Sequence, residues 1–255
     1  MLTIDIGNSR IKWAQYEGDS VIAHGVFGYD KSNLMDTLLQ AELPLAGQAV
    51  WLSNVAGEEV ASLVSRALEQ QGCLGYQFAA SRAQQCGVKN GYRLPQQLGV
   101  DRWLAMLAAF HLPRRAHDQP LCVIDCGTAL TLDVLDASGQ HLGGYIAPGL
   151  LSLQGALVEK TADIDIEPAQ PAAVKVPADN TADAVVHGCA QLLLGGIRQL
   201  LADCLPAAAR PCIVLTGGDA QWVKAGLGLS TETVFEPLLV NQGLRLVASE
   251  QALSA

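Results

Sequence analysis

Positive charge is scarce in this chain. Lys and Arg number 16 against 25 Asp and Glu, a formal net charge of −9 over 255 residues. An acidic protein of this kind is not expected to bind nucleic acid through a broad basic field. A phosphate ligand is still allowed, because backbone N–H groups and a metal ion can hold one. Charged residues of all kinds are only 16 %, and half the residues are hydrophobic, which argues against disorder and supplies a sizeable core. Long apolar runs are missing. No stretch approaches the ~20 residues that span a bilayer, and the apolar density near 191–201 is broken by Gly195, Gly196 and Arg198. The first residues read as a core strand, with Asp5 and Asn8 where a signal peptide needs unbroken apolar residues. Cysteine pairing motifs are missing too. Cys73, Cys86, Cys122, Cys126, Cys189, Cys204 and Cys212 are odd in number and contain no Cys-x-x-Cys. That argues against structural zinc and a disulfide framework, and free thiols in a reducing cytoplasm fit. The expectation is a cytoplasmic protein with no membrane segment.

What is present is a repeat. Residues 2–12 read LTIDIGNSRIK and residues 122–132 read CVIDCGTALTL. Each is an apolar strand ending in Asp-x-Gly, then a small polar residue, then a second β-rich run. Each continues into a turn and a glycine-bearing strand, YEGDSVIAHG and LDASGQHLGG. Two copies of one fold are the expected consequence.

Around the repeat, strands are expected at 2–6, 11–16, about 21–27 and 49–53, and a helix at 57–72 with Glu58 and Glu59 at its start and Gly72 at its stop. Residues 101–112 read as a buried helix, apolar on most faces. The polar stretch 112–120, with two prolines, is the best boundary, giving domains 1–115 and 116–255. In the second half CVIDC and LTLDVL are strands, and 166–180 is a Pro/Ala-rich loop. Residues 181–205 form a long helix, 212–220 a strand running into a Gly-Gly turn, and about 237–249 a last helix. Strands and helices in duplicate make an α/β protein with mixed sheets.

Four segments carry chemistry. In Asp5-Ile6-Gly7-Asn8-Ser9-Arg10-Ile11-Lys12, Gly7 permits a tight hairpin whose N–H groups can meet phosphate oxygens. Asp5 can hold Mg²⁺, and Lys12 can neutralise phosphate charge. An ordinary hairpin would carry the same residues. The second copy, Asp125-Cys126-Gly127-Thr128, adds another hard-cation ligand and a hydroxyl. Two such carboxylates brought together would repel without a cation between them. Thr216-Gly217-Gly218-Asp219 after an apolar strand fits a nucleoside contact or a plain strand-to-helix turn. In the segment from Asn90 to Arg102, Asp101 is either a general base or a preferred helix-start residue. Arg102 is either a fork for a substrate carboxylate or a surface partner. The five histidines, His24, His111, His117, His141 and His187, show no ligand spacing and read as surface or structural. Trp13 and Trp103 read as core.

Together these motifs resemble the type III pantothenate kinases, within the acetate and sugar kinase, chaperone ATPase and actin superfamily. The markers are D-x-G-N-[ST]-x-x-K at 5–12, Tyr92 followed by P-x-x-L-G-x-D-R at 95–102, and D-x-G-T-A-x-T at 125–131. G-G-x-I-x-P-G at 143–149, Asn180-Thr181 and T-G-G-D at 216–219 complete them. Ser9 and Val100 stand where many members have Thr and Ala. The resemblance implies two ribonuclease-H-like domains with ATP and pantothenate meeting in the cleft between them. It implies that Asp5, Ile6, Gly7, Asn8, Ser9, Arg10, Ile11, Lys12 and Thr128 bind ATP, with Mg²⁺. It implies that Asp125 binds K⁺ or NH₄⁺. Tyr92, Gly99, Val100, Asp101, Arg102 and Thr181 would bind pantothenate, with Asp101 taking the proton of its primary hydroxyl. It also implies a homodimer. Two other readings stand beside it: a non-catalytic nucleotide-binding regulator, a different class, against which Asp5 and Asp101 both speak, and a sugar or acetate kinase of the same superfamily, against which Tyr92 and G-x-D-R speak.

Overall fold

The computed structural model describes residues 1–116, 118–172, 177–205, 210–230 and 232–254. His117 and residues 173–176 of the expected 166–180 loop lie outside them. The chain forms two compact units: Met1–Arg114 with Gly139–His141 and Leu238–Ala255, and Arg115–Ser138 with Leu142–Pro237.

The first unit contains β1 (Leu2–Ile6), β2 (Arg10–Glu17), β3 (Ser20–Gly28), α1 (Leu34–Gln40), β4 (Val50–Asn54), α2 (Glu58–Gln70), β5 (Tyr76–Phe78), β6 (Gln84–Gln85), β7 (Val88–Lys89) and α3 (Val100–Phe110). The second contains β8 (Leu121–Cys126), β9 (Ala129–Leu135), most of β10 (His141–Pro148), α4 (Leu150–Lys160), α5 (Thr181–Cys204), β11 (Cys212–Thr216), α6 (Ala220–Leu227) and β12 (Val234–Phe235). α7 (Leu239–Ser254) belongs to the first unit.

The two sheets have the same plan. One runs β3-β2-β1-β4-β5 and the other β10-β9-β8-β11-β12. In each, the first strand pairs antiparallel with the second and parallel with the fourth. This is the duplicated α/β architecture that the repeat foretells, with the ribonuclease-H-like plan that the family resemblance implies.

In the first unit, one face of the sheet (Leu2, Ile4, Ile6, Ile11, Leu52) meets α1 and α2 in a single apolar cluster. α2 buries Val60, Val64, Ala67 and Leu68, a helical stripe. The opposite face meets α7, which also packs along α3. Asn241 of α7, fully buried, donates to Thr3 Oγ1 at 3.1 Å and to Thr3 O at 3.3 Å. A single cut at 115/116 therefore differs from the observed division, because the chain's last helix completes the first unit.

In the second unit, alternate residues of β8 and β9 cluster with Leu150 of α4, Val223 of α6 and the buried stripe of α5. α5 begins where Asn180 accepts the Asp183 N–H at 2.9 Å. Among the described residues α5 is the one helix long and apolar enough to cross a membrane, and its buried residues are spent on this core. α6 ends at Gly228, whose φ of +63° and N–H bond to Ala225 O form a left-handed cap. All seven cysteines are free.

The short hairpin β6–β7 turns through Cys86 and Gly87, with φ of +45° and +76°. Such a turn prefers Asn at its first central position. Cys86 is the one non-glycine described residue with positive φ. Burial and the adjacent Glu250 push its thiol up to about 12, so it stays protonated at neutral pH. Cys86→Asn is expected to relieve about 1 kcal/mol of backbone strain and to raise the melting temperature by roughly 2–4 °C. A lowered melting temperature would mean that the thiol's contact with Glu250 outweighs the turn preference.

Candidate active site

Asp5 is 9 % exposed at the end of a strand buried along its length. Register sets it opposite Lys12 and beside Ser53, so all three side chains leave one face of the sheet. Ser53 Oγ is buried and has no hydrogen-bond partner among the described residues. Ile6 and Ile11 leave the other face into the core, so their contribution to any ligand is through main chain and packing. Gly7 N–H donates to Arg10 O at 3.0 Å, and Tyr29 OH donates to Gly7 O at 2.6 Å. These bonds hold a turn whose tip, Asn8, Ser9 and Arg10, is exposed.

The second unit repeats this with other residues. Asp125 lies opposite Thr131 and beside Thr216. Where the first copy has an ammonium group, the second has hydroxyls. Gly217 crosses directly over the strand end: a Cβ there would collide with Cys126 O and sit 2.5 Å from Asp125 Oδ1. Its φ of +92° also demands glycine. Asp219 N–H donates to Cys126 O at 2.9 Å. Burial, then Asp125 and Asp219, push the Cys126 thiol up, so it is inert. Thr128 is exposed, and its carbonyl accepts from Gly149 N–H at 2.9 Å and Ser152 Oγ at 2.7 Å. The Gly127–Thr128 turn is thus gripped by the start of α4.

Tyr92 and Arg102 come together in the first unit. Arg102 is buried, donates from Nη1 to Tyr92 OH at 3.0 Å, and has its guanidinium carbon 5.7 Å from the ring centroid. The 90–98 segment is tied locally: Tyr92 N–H to Asn90 Oδ1 at 2.9 Å, Asn90 Nδ2 to Pro95 O at 3.2 Å, Ser81 Oγ to Leu98 O at 2.8 Å. Gly99 is the N-cap of α3 and makes no side-chain cap bond. Val100 and Asp101 open the helix, and Asp101 Oδ1 accepts the Arg102 N–H at 2.7 Å. Asp101 is the second residue of the helix rather than its cap. Thr181, the exposed first residue of α5, belongs to the second unit.

Several elements near these residues escape sequence reasoning. His141 stacks on Tyr92, with centroids 5.9 Å apart and planes at 15°. Residues 169–171 form a strap: Gln154 of α4 makes two bonds to Ala169 (2.8 and 2.9 Å), Gln170 donates to Asp219 Oδ1 at 2.5 Å, and Trp222 Nε1 donates to Pro171 O at 2.9 Å. No periodicity or motif announces either.

The donor chemistry fits the expected cations. Among the described residues no group of three His, Cys, Asp or Glu could hold a metal alone. Mg²⁺ does not need one, since it takes one or two carboxylates and leaves its other positions to water and phosphate. Asp5 beside the orphaned Ser53 hydroxyl suits that. Asp125 with Thr131 and Thr216 beside it offers only hard oxygens, which suits a hard cation such as K⁺.

A sequence profile described as type III pantothenate kinase matches residues 1–203. A type III pantothenate kinase of Azoarcus sp. (strain BH72) is 36 % identical over 254 residues, covering 99 % of this chain and 92 % of its own. One from Pseudomonas aeruginosa (strain LESB58) is 38 % identical over 243 residues, covering 92 % and 96 %. Among solved structures, a Baf family protein of Campylobacter jejuni superposes with a TM-score of 0.62 at 20 % identity over 99 % of this chain and 100 % of its own, which speaks for the fold. The duplicated Asp-x-Gly hairpins, the Tyr92–Arg102 cluster and full-length likeness to these relatives lead to one conclusion: the chain belongs to the type III pantothenate kinase family.

Proposed function

We propose that the β1–β2 hairpin (Asp5 to Lys12) and Thr128 hold ATP, and that Tyr92, Gly99, Val100, Asp101, Arg102 and Thr181 hold pantothenate. The reaction is that of the family, ATP-dependent phosphorylation of pantothenate to 4′-phosphopantothenate, the first step of coenzyme A biosynthesis. The observation that carries the residue assignment is the Arg102–Tyr92 pair with Asp101 on the same helix start. It sets a cationic fork and a carboxylate acceptor side by side on a rigid element.

Arg102 binds the remote carboxylate and orients the substrate. Asp101 accepts the proton of the primary hydroxyl as its oxygen bonds to the γ-phosphorus, the bond from that phosphorus to the β,γ-bridging oxygen breaks, and ADP leaves. The main chain of residues 7–10 and the Lys12 ammonium stabilise phosphate charge. Asp5 is the residue that would hold Mg²⁺, and Asp125 the residue that would hold K⁺ or NH₄⁺. Such cations, when bound, offset the charge of the triphosphate and of these carboxylates. Mass spectrometry of purified protein mixed with Mg-ATP and pantothenate in K⁺ buffer tests the reading. Phosphopantothenate is expected, and its absence at high ATP overturns it.

The protein works as a cytoplasmic homodimer. In the second unit Leu142, Tyr145 and Ile146 (65 %) of β10 and Leu192 (72 %) of α5 are exposed apolar residues. Tyr145 OH lies 3.9 Å from Cys204 Sγ, so β10 and the end of α5 share a side. Leu142 and Ile146 leave the face of this edge strand opposite to Tyr145, and their apolar exposure supports an interaction surface there.

The contrast between Lys12 in one copy and Thr131 in the other gives a cation prediction. Wild-type kcat is expected to be about tenfold higher in K⁺ or NH₄⁺ than in Na⁺, equivalent to ~1.4 kcal/mol of barrier. Asp125→Ala should flatten that difference. Equal rates in both buffers, or unchanged cation dependence in the variant, would remove Asp125 from this role.

A further inference from the structure

We infer that His141 is a positioning residue for pantothenate: it holds the 90–92 turn so that Tyr92 keeps the Arg102 fork aimed at the substrate carboxylate. The inference rests on the assignment of Tyr92 and Arg102 to the pantothenate pocket.

His141 is 1 % exposed and is the last residue of the short 139–141 segment that the first unit takes from the second half of the chain. Three features press the 90–92 turn against it. Gly91 lies flush on its backbone, and a Cβ on Gly91 would collide with His141 O. Gly91 N–H donates to His141 Nδ1 at 3.4 Å. That bond makes Nδ1 the acceptor, so the neutral ring carries its proton on Nε2. The Tyr92 ring then stacks on the imidazole at 5.9 Å and 15°. Tyr92 in turn touches Arg102 through both its hydroxyl and its ring. The contacts form a chain, His141 to Tyr92 to Arg102.

A buried imidazole is a costly way to fill a hole, since its polar atoms need partners. A stack with an acceptor at its edge does something a leucine would not. It sets the rotation of the Tyr92 ring and the height of its hydroxyl. The guanidinium that leans on that hydroxyl inherits the setting. His141 itself acts only through Tyr92, so its loss should weaken binding of the carboxylate end and leave the phosphoryl transfer step alone.

His141→Ala is expected to raise KM for pantothenate about tenfold, with kcat and KM for ATP within about twofold of wild type. His141→Phe, which keeps a stacking ring, should recover most of that loss, and His141→Asn, which keeps only an edge acceptor, should not. A second readout is discrimination between pantothenate and its analogue with CH₂OH in place of the carboxylate. His141→Ala should reduce wild-type preference for the acid in the same direction as Arg102→Ala. If His141→Ala lowers kcat/KM for both substrates equally, or changes neither, the inference falls. Should the alanine variant not fold, His141→Phe and His141→Asn still decide it: equal kinetics in those two overturns a stacking role. If Arg102→Ala itself leaves the preference for the acid untouched, the pocket assignment fails instead.

Discussion

Asp101→Asn is expected to lower kcat at least about a hundredfold while the protein melts near its native temperature. The two roles open to this carboxylate make different demands. As a helix-start residue, Asp101 accepts the Arg102 N–H at 2.7 Å. An Asn oxygen accepts the same bond, so the exchange should cost a few tenths of a kcal/mol. Loss of a negative charge in the first turn adds about 0.3–1 kcal/mol at most. As a base, Asp101 must take a proton, which Asn cannot do. A positioned base contributes roughly 10²–10⁴-fold, about 3–5.5 kcal/mol of barrier. Phosphoryl transfer passes through a loose transition state, so the proton leaves late and the lower part of that range is expected. Steady-state kinetics and a thermal melt on the same preparation check this, with ATP binding near native. The opposite pattern, kcat largely kept in Asp101→Asn and a melting temperature several degrees lower in Asp101→Ala, would make Asp101 a helix-start residue only.

How much of this was legible in the sequence depends on the range of the contacts. Both Asp-x-Gly hairpins were legible because a strand, its turn and its antiparallel neighbour lie within about a dozen residues and carry their own apolar pattern. Asp5 opposite Lys12 and Asp125 opposite Thr131 follow directly from those short turns. α2 and α5 were legible from acidic first turns, a cap and a buried stripe. α4 was not expected: its Leu-rich sequence carries Gly155 in its middle and no side-chain cap. α7 runs to Ser254 rather than stopping near 249, since no glycine or proline ends it. Its membership of the first unit depends on Asn241 reaching Thr3, 238 residues away. His141 reaches Tyr92 across 49 positions in the same way. Such pairings leave no local trace. They are set by which sheet face remains uncovered once the hairpins and nearby helices have packed.

Arg102→Ala is expected to raise KM for pantothenate about a hundredfold with a much smaller change in kcat. Arg102 is buried, and its guanidinium donates to the Tyr92 hydroxyl and lies near the Tyr92 ring. Pre-organised in this way, it loses little side-chain freedom when a carboxylate arrives. Truncating one partner of a desolvated, hydrogen-bonded charge pair costs roughly 2–5 kcal/mol, and a hundredfold in KM corresponds to about 2.7 kcal/mol. The carboxylate is remote from the reacting hydroxyl, so its binding is much the same in ground state and transition state. Such uniform binding shows in KM rather than kcat. Arg102→Lys should be intermediate, keeping the charge and losing the planar fork and its fit on Tyr92. The alcohol analogue supplies the internal control. It offers no charge to Arg102, so wild type and Arg102→Ala should handle it within a few-fold of each other, and the variant should scarcely distinguish it from pantothenate. If the variant loses activity equally on both substrates, Arg102 is a structural partner of Tyr92, and the carboxylate is read by another group.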